Sequence, residues 1–391
     1  MADEVNGSDP EPISRRHFLV ASGAAGAAAI ASAGPAAAQA PASGGPHVKA
    51  VPPDIFISHG INQETRLETL SGYITPSSHF FVRSHSTTPK VDLATWRLRV
   101  EGNAVEQPLE ITFAELRRLP SRSVICYVEC AGNGRAFFKD FGGKVASGTQ
   151  WRNGAIGVAE WTGVPLATVL ELARVKRDTP RDLLNVLVEG LDSVKVNRPM
   201  SLAKAMDEET LLAYAMNGEP LPADHGFPVR AIVPGWVGIN SIKWVGRIEV
   251  RDRGIDVPTT TSSYVLEGPD YPTKTPVRLQ TIKSAVALPW SATLPAGRHR
   301  IRGFAWSPVG RISRVEYSLD RSATWRPATL REPNLPRAWV RWDFEWDARA
   351  GDHTIITRAV DDQGNTQPPT IPWNAQGYGY NVPVPHPVKV T

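Results

Sequence analysis

Short apolar runs, each closed by a turn rich in glycine, proline or asparagine, carry the secondary structure of this chain. Val124-Ile125-Cys126-Tyr127-Val128 predicts a strand, because most of its positions are β-branched or aromatic. It runs out at Gly132-Asn133-Gly134, residues that tolerate the positive φ of a tight turn. Phe80-Phe81-Val82-Arg83 reads as another strand, and Trp96-Arg97-Leu98-Arg99-Val100 alternates with period two before Glu101-Gly102-Asn103. Thr112 and Glu115 stand at capping-box spacing, so a short helix opens there and stops at Pro120. Residues 162–173 predict a second helix, with Pro165 near its start and Leu166, Val169, Leu170 and Ala173 on one face. An apolar strand over 183–189 and a short helix over 201–206 follow. Strands over 229–233 and 242–250 bracket Pro234-Gly235-Trp236-Val237-Gly238, a glycine-marked loop whose amides are expected to line an anion site.

The pattern then changes. Residues 256–276 are rich in Pro, Thr and Ser and read as a linker carrying Tyr264 and Tyr271. Beyond it, alternating segments recur at 277–288, 300–305, 311–319, 339–346 and 353–360, divided by turns such as Pro308-Val309-Gly310. That spacing predicts a β-sandwich of immunoglobulin type. The expected organisation is a leader over 1–40, an extension over 41–79 that is Pro/Gly/Ala-rich over 41–53 and mixed polar, with a loop and short helix, over 57–75, a mixed α+β domain over 80–255, the linker, and the sandwich over 277–391. A length of 391 residues suits two domains.

Composition excludes some classes. With 41% hydrophobic and 21% charged residues the chain reads as a soluble globular protein. No run of 18 strongly apolar residues follows the leader, so no membrane span is expected after its removal. Ser14-Arg15-Arg16-His17-Phe18-Leu19 matches the twin-arginine pattern, and an Ala/Gly-rich stretch leads to cleavage sites ending at Ala38 or Ala40. The protein is therefore expected in the periplasm. Losing residues 1–38 removes two basic and four acidic side chains and raises the net charge from +4 to +6. This mild basicity suits an acidic protein partner, and without a Lys/Arg cluster it does not point to nucleic acid. Only Cys126 and Cys130 are present. On one extended strand they would lie about 13 Å apart at ~3.3 Å per residue, beyond the roughly 7 Å a disulfide spans. No Cys-x-x-Cys-His occurs, so no covalently held haem is expected in this chain.

Cys130 ends a rigid strand and begins a permissive loop, with Arg135 nearby to favour the thiolate, a soft ligand for a metal. Position alone leaves two readings: a metal ligand or nucleophile, or one more buried small residue. His225, Arg230 and Lys243 are likewise either an anion-binding cluster or two strand-edge cations and a core histidine. The segment Cys-Ala-Gly-Asn-Gly-Arg (130–135) after a strand resembles the molybdenum-ligating segment of the sulfite oxidase family. The resemblance continues through WRNGAIGVAEWTGVP (151–165), LLAYAMNG (211–218) and DHGFPVRAIVPGWVGINSIKWVGRIEV (224–250), and covers most of 80–377. It implies that Cys130 supplies the protein thiolate to a molybdenum held otherwise by molybdopterin. It further implies that His85, His225, Arg230 and Lys243 cradle that cofactor, that Arg83 and Arg135 bind substrate, and that Tyr264 serves catalysis beside the metal. A molybdopterin domain of mixed α/β build followed by a dimerising sandwich is the implied architecture.

The activity so implied is oxidation of sulfite to sulfate, with electrons passed to an external c-type cytochrome and the enzyme a homodimer. Arginine suits the dianion because its planar fork binds oxyanions bidentately and keeps its charge. Three other readings stay open. They are a sulfane-sulfur dehydrogenase subunit beside a haem partner, a methionine sulfoxide reductase, which the C-terminal sandwich argues against, and a non-enzymatic secreted binding protein. One departure bears on substrate. Where sulfite-specific members of the family carry Trp-Asn-x-Arg-Gly, this chain has Trp373-Asn374-Ala375-Gln376-Gly377, so Gln376 takes the place of a substrate-binding arginine.

Overall fold

The structure, a computed structural model, describes residues 47–176, 180 and 182–391. The twin-arginine segment and its cleavage sites lie outside them.

Two sheets build the first half. In one, Arg122–Glu129 forms an edge and pairs antiparallel with Ile156–Pro165, which pairs in turn with Leu211–Met216. Arg230–Ile232 and Glu219–Pro220 both add to that last strand. In the other, the order is Leu109–Thr112, Arg97–Glu101, Val245–Arg251, Asn185–Gly190, Asn197–Ser201, and only the Arg97–Glu101 and Val245–Arg251 pair is parallel. A core of Leu98, Val100, Val164, Leu166, Val186, Ala231, Val245 and Ile248 joins elements of both sheets.

Four- and five-stranded sheets build the second half. One orders Lys283–Val286, Gly297–Trp306, Trp339–Ala348 and Thr329–Arg331; the other orders Ala292–Leu294, His386–Val390, Gly351–Asp361, Ile312–Ser318 and Arg326–Pro327. Ile301, Val340, Trp342 and Phe344 of the first meet Val315, Ile355, Ala359 and Val388 of the second in one core, which makes the pair a sandwich. A further cluster sets Tyr127, Ile156 and Val158 of the cysteine-bearing sheet against Phe304, Trp306 and Trp339 of the sandwich. The strand that delivers Cys130 thus rests on the second half.

Helices are few and short, so the chain is mostly sheet rather than an even α+β mixture. The capping box at Thr112 and Glu115 forms as expected, with Glu115 N–H donating to Thr112 Oγ1 at 3.2 Å and Thr112 N–H to Glu115 Oε2 at 2.8 Å. The helix expected over 162–173 begins only at Leu166. Residues 162–165 continue the long central strand, since pairing on both edges outweighs helical spacing and Gly163 leaves room for the backbone at Ala213. Phe80–Arg83 is not a strand; Val82 makes a single bridge to Gln63. The 57–75 region holds a hairpin of Phe56–His59 and Asn62–Thr65 before its short helical turn. The expected linker is structured too, as a turn of helix at Pro258–Thr261 and a hairpin of Val265–Gly268 with Tyr271–Pro276.

Candidate active site

The last residues of Arg122–Glu129 are buried, and Cys130 follows immediately. Its N–H donates to Ala155 O at 2.9 Å and its carbonyl accepts from Asn133 N–H at 2.9 Å, closing the glycine turn. Gly134 takes φ 94°, a left-handed conformation that favours glycine. Both cysteines are free. Cys126 points into the apolar core of the sheet, where burial pushes its thiol up to about 12. Cys130 instead opens onto two cavities.

The inner cleft is lined by Arg83, His85, Cys130, His225, Arg230, Ser241, Lys243 and Tyr264 among others. Arg230 donates from Nη1 to His225 O at 3.1 Å and lies over the Trp161 ring at 5.1 Å, while its buried Nε has no partner among the described residues. Burial lowers this guanidinium to about 10. Lys243 donates to Ser84 Oγ at 2.6 Å and Asp224 O at 2.9 Å, and burial followed by Arg230 pushes it well below an ordinary lysine. Burial also holds His225 far below the usual imidazole range and brings His85 down to about 3, helped by Arg83 and Lys243. The loop expected to offer its amides mostly does not: Trp236 and Val237 donate to Val233 O at 3.2 Å and Arg278 O at 2.8 Å. Only its end, Gly238, reaches the cleft, beside Ile239.

An outer pocket is lined by Arg83, Cys130, Arg135, Thr149, Tyr264, Gln376 and Tyr378 among others. Arg83, Cys130 and Tyr264 line both cavities. Arg135 donates to Gln376 O at 2.7 Å and Thr149 O at 2.6 Å and sits over the Tyr378 ring at 5.2 Å. The Tyr264 hydroxyl lies 2.9 Å from His85 Nε2 and 3.4 Å from Arg83 Nη2. Burial works against the charge of Arg83, but Tyr264, Cys130 and Tyr378 outweigh it and raise its affinity for the proton. Tyr264 adopts φ 54° and stacks on Tyr378 at 5.3 Å, a strained backbone held by its surroundings. Gln376 holds it there: its Oε1 accepts from Tyr264 N–H at 3.0 Å and its Nε2 donates to Ser262 O at 3.0 Å.

The structure thus gathers all nine residues singled out in the sequence around two adjoining cavities. It adds others that the sequence did not flag. Asp224 accepts from the backbone of Val48 and Lys49 at 2.9 and 2.7 Å, tying the N-terminal segment to the inner cleft. Lys49 Nζ lies 3.3 Å from His225 Nε2, and burial lowers it to about 7. Tyr378, in Gly377-Tyr378-Gly379, was the one with a visible signal, an aromatic between glycines.

Residues 85–257 match the oxidoreductase molybdopterin binding domain, and residues 277–390 the Mo-co oxidoreductase dimerisation domain. Sulfite oxidase of Gallus gallus is 34% identical over 343 residues, spanning 81% of this chain and 73% of that protein. The chain belongs to the sulfite oxidase family. Mitochondrial sulfite oxidase of Homo sapiens is 36% identical over 340 residues, and the chain spans 81% of itself and 62% of that relative's length. Among solved structures, the sulfane dehydrogenase SoxCD of Paracoccus pantotrophus matches with a TM-score of 0.75 at 33% identity, covering 82% of each chain.

The inner cleft suits the family's molybdopterin on its own chemistry. An orphaned buried guanidinium N–H, and a buried ammonium whose hydrogen bonds go only to neutral oxygens and which the nearby Asp224 and Asp192 carboxylates do not bring back to its ordinary range, are costly unless an anion joins them. A phosphate-bearing pterin supplies that anion, and the soft thiol at the rim suits molybdenum.

Proposed function

We propose that this chain is a molybdenum enzyme that oxidises sulfite to sulfate. Arg230 and Lys243 would hold the phosphate of the pterin, with His225 and His85 packed against the group, and Cys130 would bind the metal. Bound there, the group supplies an oxygen atom to sulfur and takes up the two electrons released. Everything else falls to the chain. Arg83 and Arg135 hold the substrate oxygens by charge-assisted hydrogen bonds. The Tyr264 hydroxyl, anchored by His85, offers a donor beside the thiol, and exclusion of water strengthens each contact. The balance is sulfite plus water to sulfate, two protons and two electrons. The observation that carries this reading is the convergence of Arg83, Arg135 and Tyr264 with the Cys130 thiol on one pocket.

The electrons leave one at a time to an external c-type cytochrome, in the periplasm reached by twin-arginine export. The sandwich, read as immunoglobulin-like, joins two copies in a dimer, as the dimerisation-domain match supports. A second reading has a specific observation behind it. Gln376 spends both halves of its amide on Ser262 and Tyr264, so the pocket has no third fixed cation at that position. A less charged sulfur substrate, such as the sulfane sulfur named for SoxCD, suits such a pocket better than a dianion does. Molybdenum-loaded protein assayed with cytochrome c on sulfite and on a carrier-bound persulfide separates the two. Turnover of sulfite is expected; turnover of the persulfide alone would replace sulfite as substrate, and turnover of neither would overturn the proposal.

A further inference from the structure

One buried lysine crosses from the sandwich to the residues on either side of Cys130. Lys283 Nζ donates to Glu129 Oε1 at 2.7 Å and to Asn133 O at 2.9 Å, with side chains 4% and 0% exposed for Lys283 and Glu129. Glu129 is the residue before the cysteine, and Asn133 closes its turn by donating to Cys130 O. Further donors converge on the same carboxylate and its backbone carbonyl. Trp306 Nε1 donates to Glu129 Oε2 at 3.0 Å, Asn133 Nδ2 to Glu129 Oε1 at 2.9 Å, and Gln280 Nε2 to Glu129 O at 2.7 Å. Asn133 Oδ1 in turn accepts from Ala155 N–H at 3.0 Å, the residue whose carbonyl holds Cys130 N–H. There is no slack on the far side either: a Cβ at Gly238 would come within 2.6 Å of Glu129 O.

A buried ion pair returns little net stability, because desolvation of both charges offsets their attraction. Its effect here is geometric, since one ammonium fixes both ends of the five-residue segment 129–133. We propose that Lys283 and Glu129 are positioning residues, through which the sandwich sets the orientation of the Cys130 thiolate at the metal. The inference rests on reading Cys130 as the metal ligand. Lys283, Gln280 and Trp306 all come from beyond residue 277, so the second half would complete the active site as well as join subunits.

The test uses the molybdenum-loaded enzyme and the paired substitution Glu129→Gln with Lys283→Met, which removes both charges together and leaves no buried ion unpaired. It is expected to keep molybdenum content and the sulfite KM, to lose about tenfold or more in kcat through misalignment, and to show an altered Mo(V) electron paramagnetic resonance spectrum. A pair variant with wild-type kcat and spectrum would overturn the inference. Trp306→Phe covers the case of a variant that does not fold, because it removes only one N–H from Glu129. A smaller fall in kcat with a shifted spectrum supports positioning, whereas lowered thermal stability with kcat and spectrum unchanged overturns it. Wild-type protein that carries no molybdenum when made with its cofactor would instead overturn the reading of Cys130 itself.

Discussion

Arg230 and Arg135 are both buried guanidiniums beside the cavities that meet at Cys130, but the protein satisfies only one of them. Arg135 has two backbone carbonyls and an aromatic face. Arg230 also has an aromatic face, at Trp161, but only one carbonyl and an orphaned Nε, and burial has lowered it to about 10. Lys243 shares its condition, with no carboxylate oxygen as a partner. On the proposed reading the inner cleft is built around an anion that stays, because its cations are unfavourable without one. On the same reading the outer pocket, whose Arg135 already has protein partners, receives and releases the substrate. Residence and exchange are separated by how each cavity treats its positive charge.

The sharpest way to break that comparison is at the shared thiol. Cys130→Ser should abolish sulfite turnover, since a hydroxyl is a poor substitute for a soft thiolate, whereas Cys126→Ala should keep activity and lose about 1 kcal/mol of stability for a small buried group. Equal activities in the two variants, measured per molybdenum, would remove the distinction. Next come the arginines. Arg230→Met should lower the molybdenum content of purified protein about tenfold or more, and Arg135→Gln should leave the content intact and raise the sulfite KM by about tenfold, since a charge-assisted hydrogen bond is worth roughly 1.5–3 kcal/mol. The opposite pattern in metal analysis and kinetics would mean that the roles of the two cavities are reversed.

A smaller effect is expected at Gln376. Gln376→Arg adds a cation to the outer pocket and should lower the sulfite KM by about 0.5–2 kcal/mol in binding terms and steepen its salt dependence. It also removes the acceptor for Tyr264 N–H, so kcat should fall at the same time. An unchanged KM at every ionic strength would leave Gln376 as a residue of the Tyr264 turn alone.

The smallest effect is on stability against pH. Unfolded Lys49 titrates near 10.5 and the folded side chain at about 7. Between those values the unfolded chain holds more protons, so stability should rise with pH from 7 towards 10 in cofactor-free protein. A bound anion raises the ammonium again and flattens the slope. Denaturant melts of both forms with Lys49→Met as control measure it, and a slope that survives the substitution would assign it to another group.

Much of this was legible along the chain where structure is local. The Cys130 turn, the Thr112 capping box and the strands of the sandwich each rest on near neighbours. What could not be read depends on distant partners. Residues 162–165 carry helical spacing yet become strand because two other strands flank them. The region around Tyr264 has linker composition, but Gln376, 112 residues away, fixes its turn. Lys283 sits in an alternating strand where a lysine reads as solvent-facing, and only the docking of the two halves makes it a buried clamp.

X-ray absorption at the molybdenum edge of the wild-type enzyme and of Cys130→Ser tests the central claim most directly, because it counts the sulfur atoms around the metal without relying on turnover. Cys130 as the protein ligand predicts one fewer sulfur neighbour in the variant, with the pterin sulfurs retained by the intact inner cleft. An identical sulfur shell in the two proteins would contradict the claim.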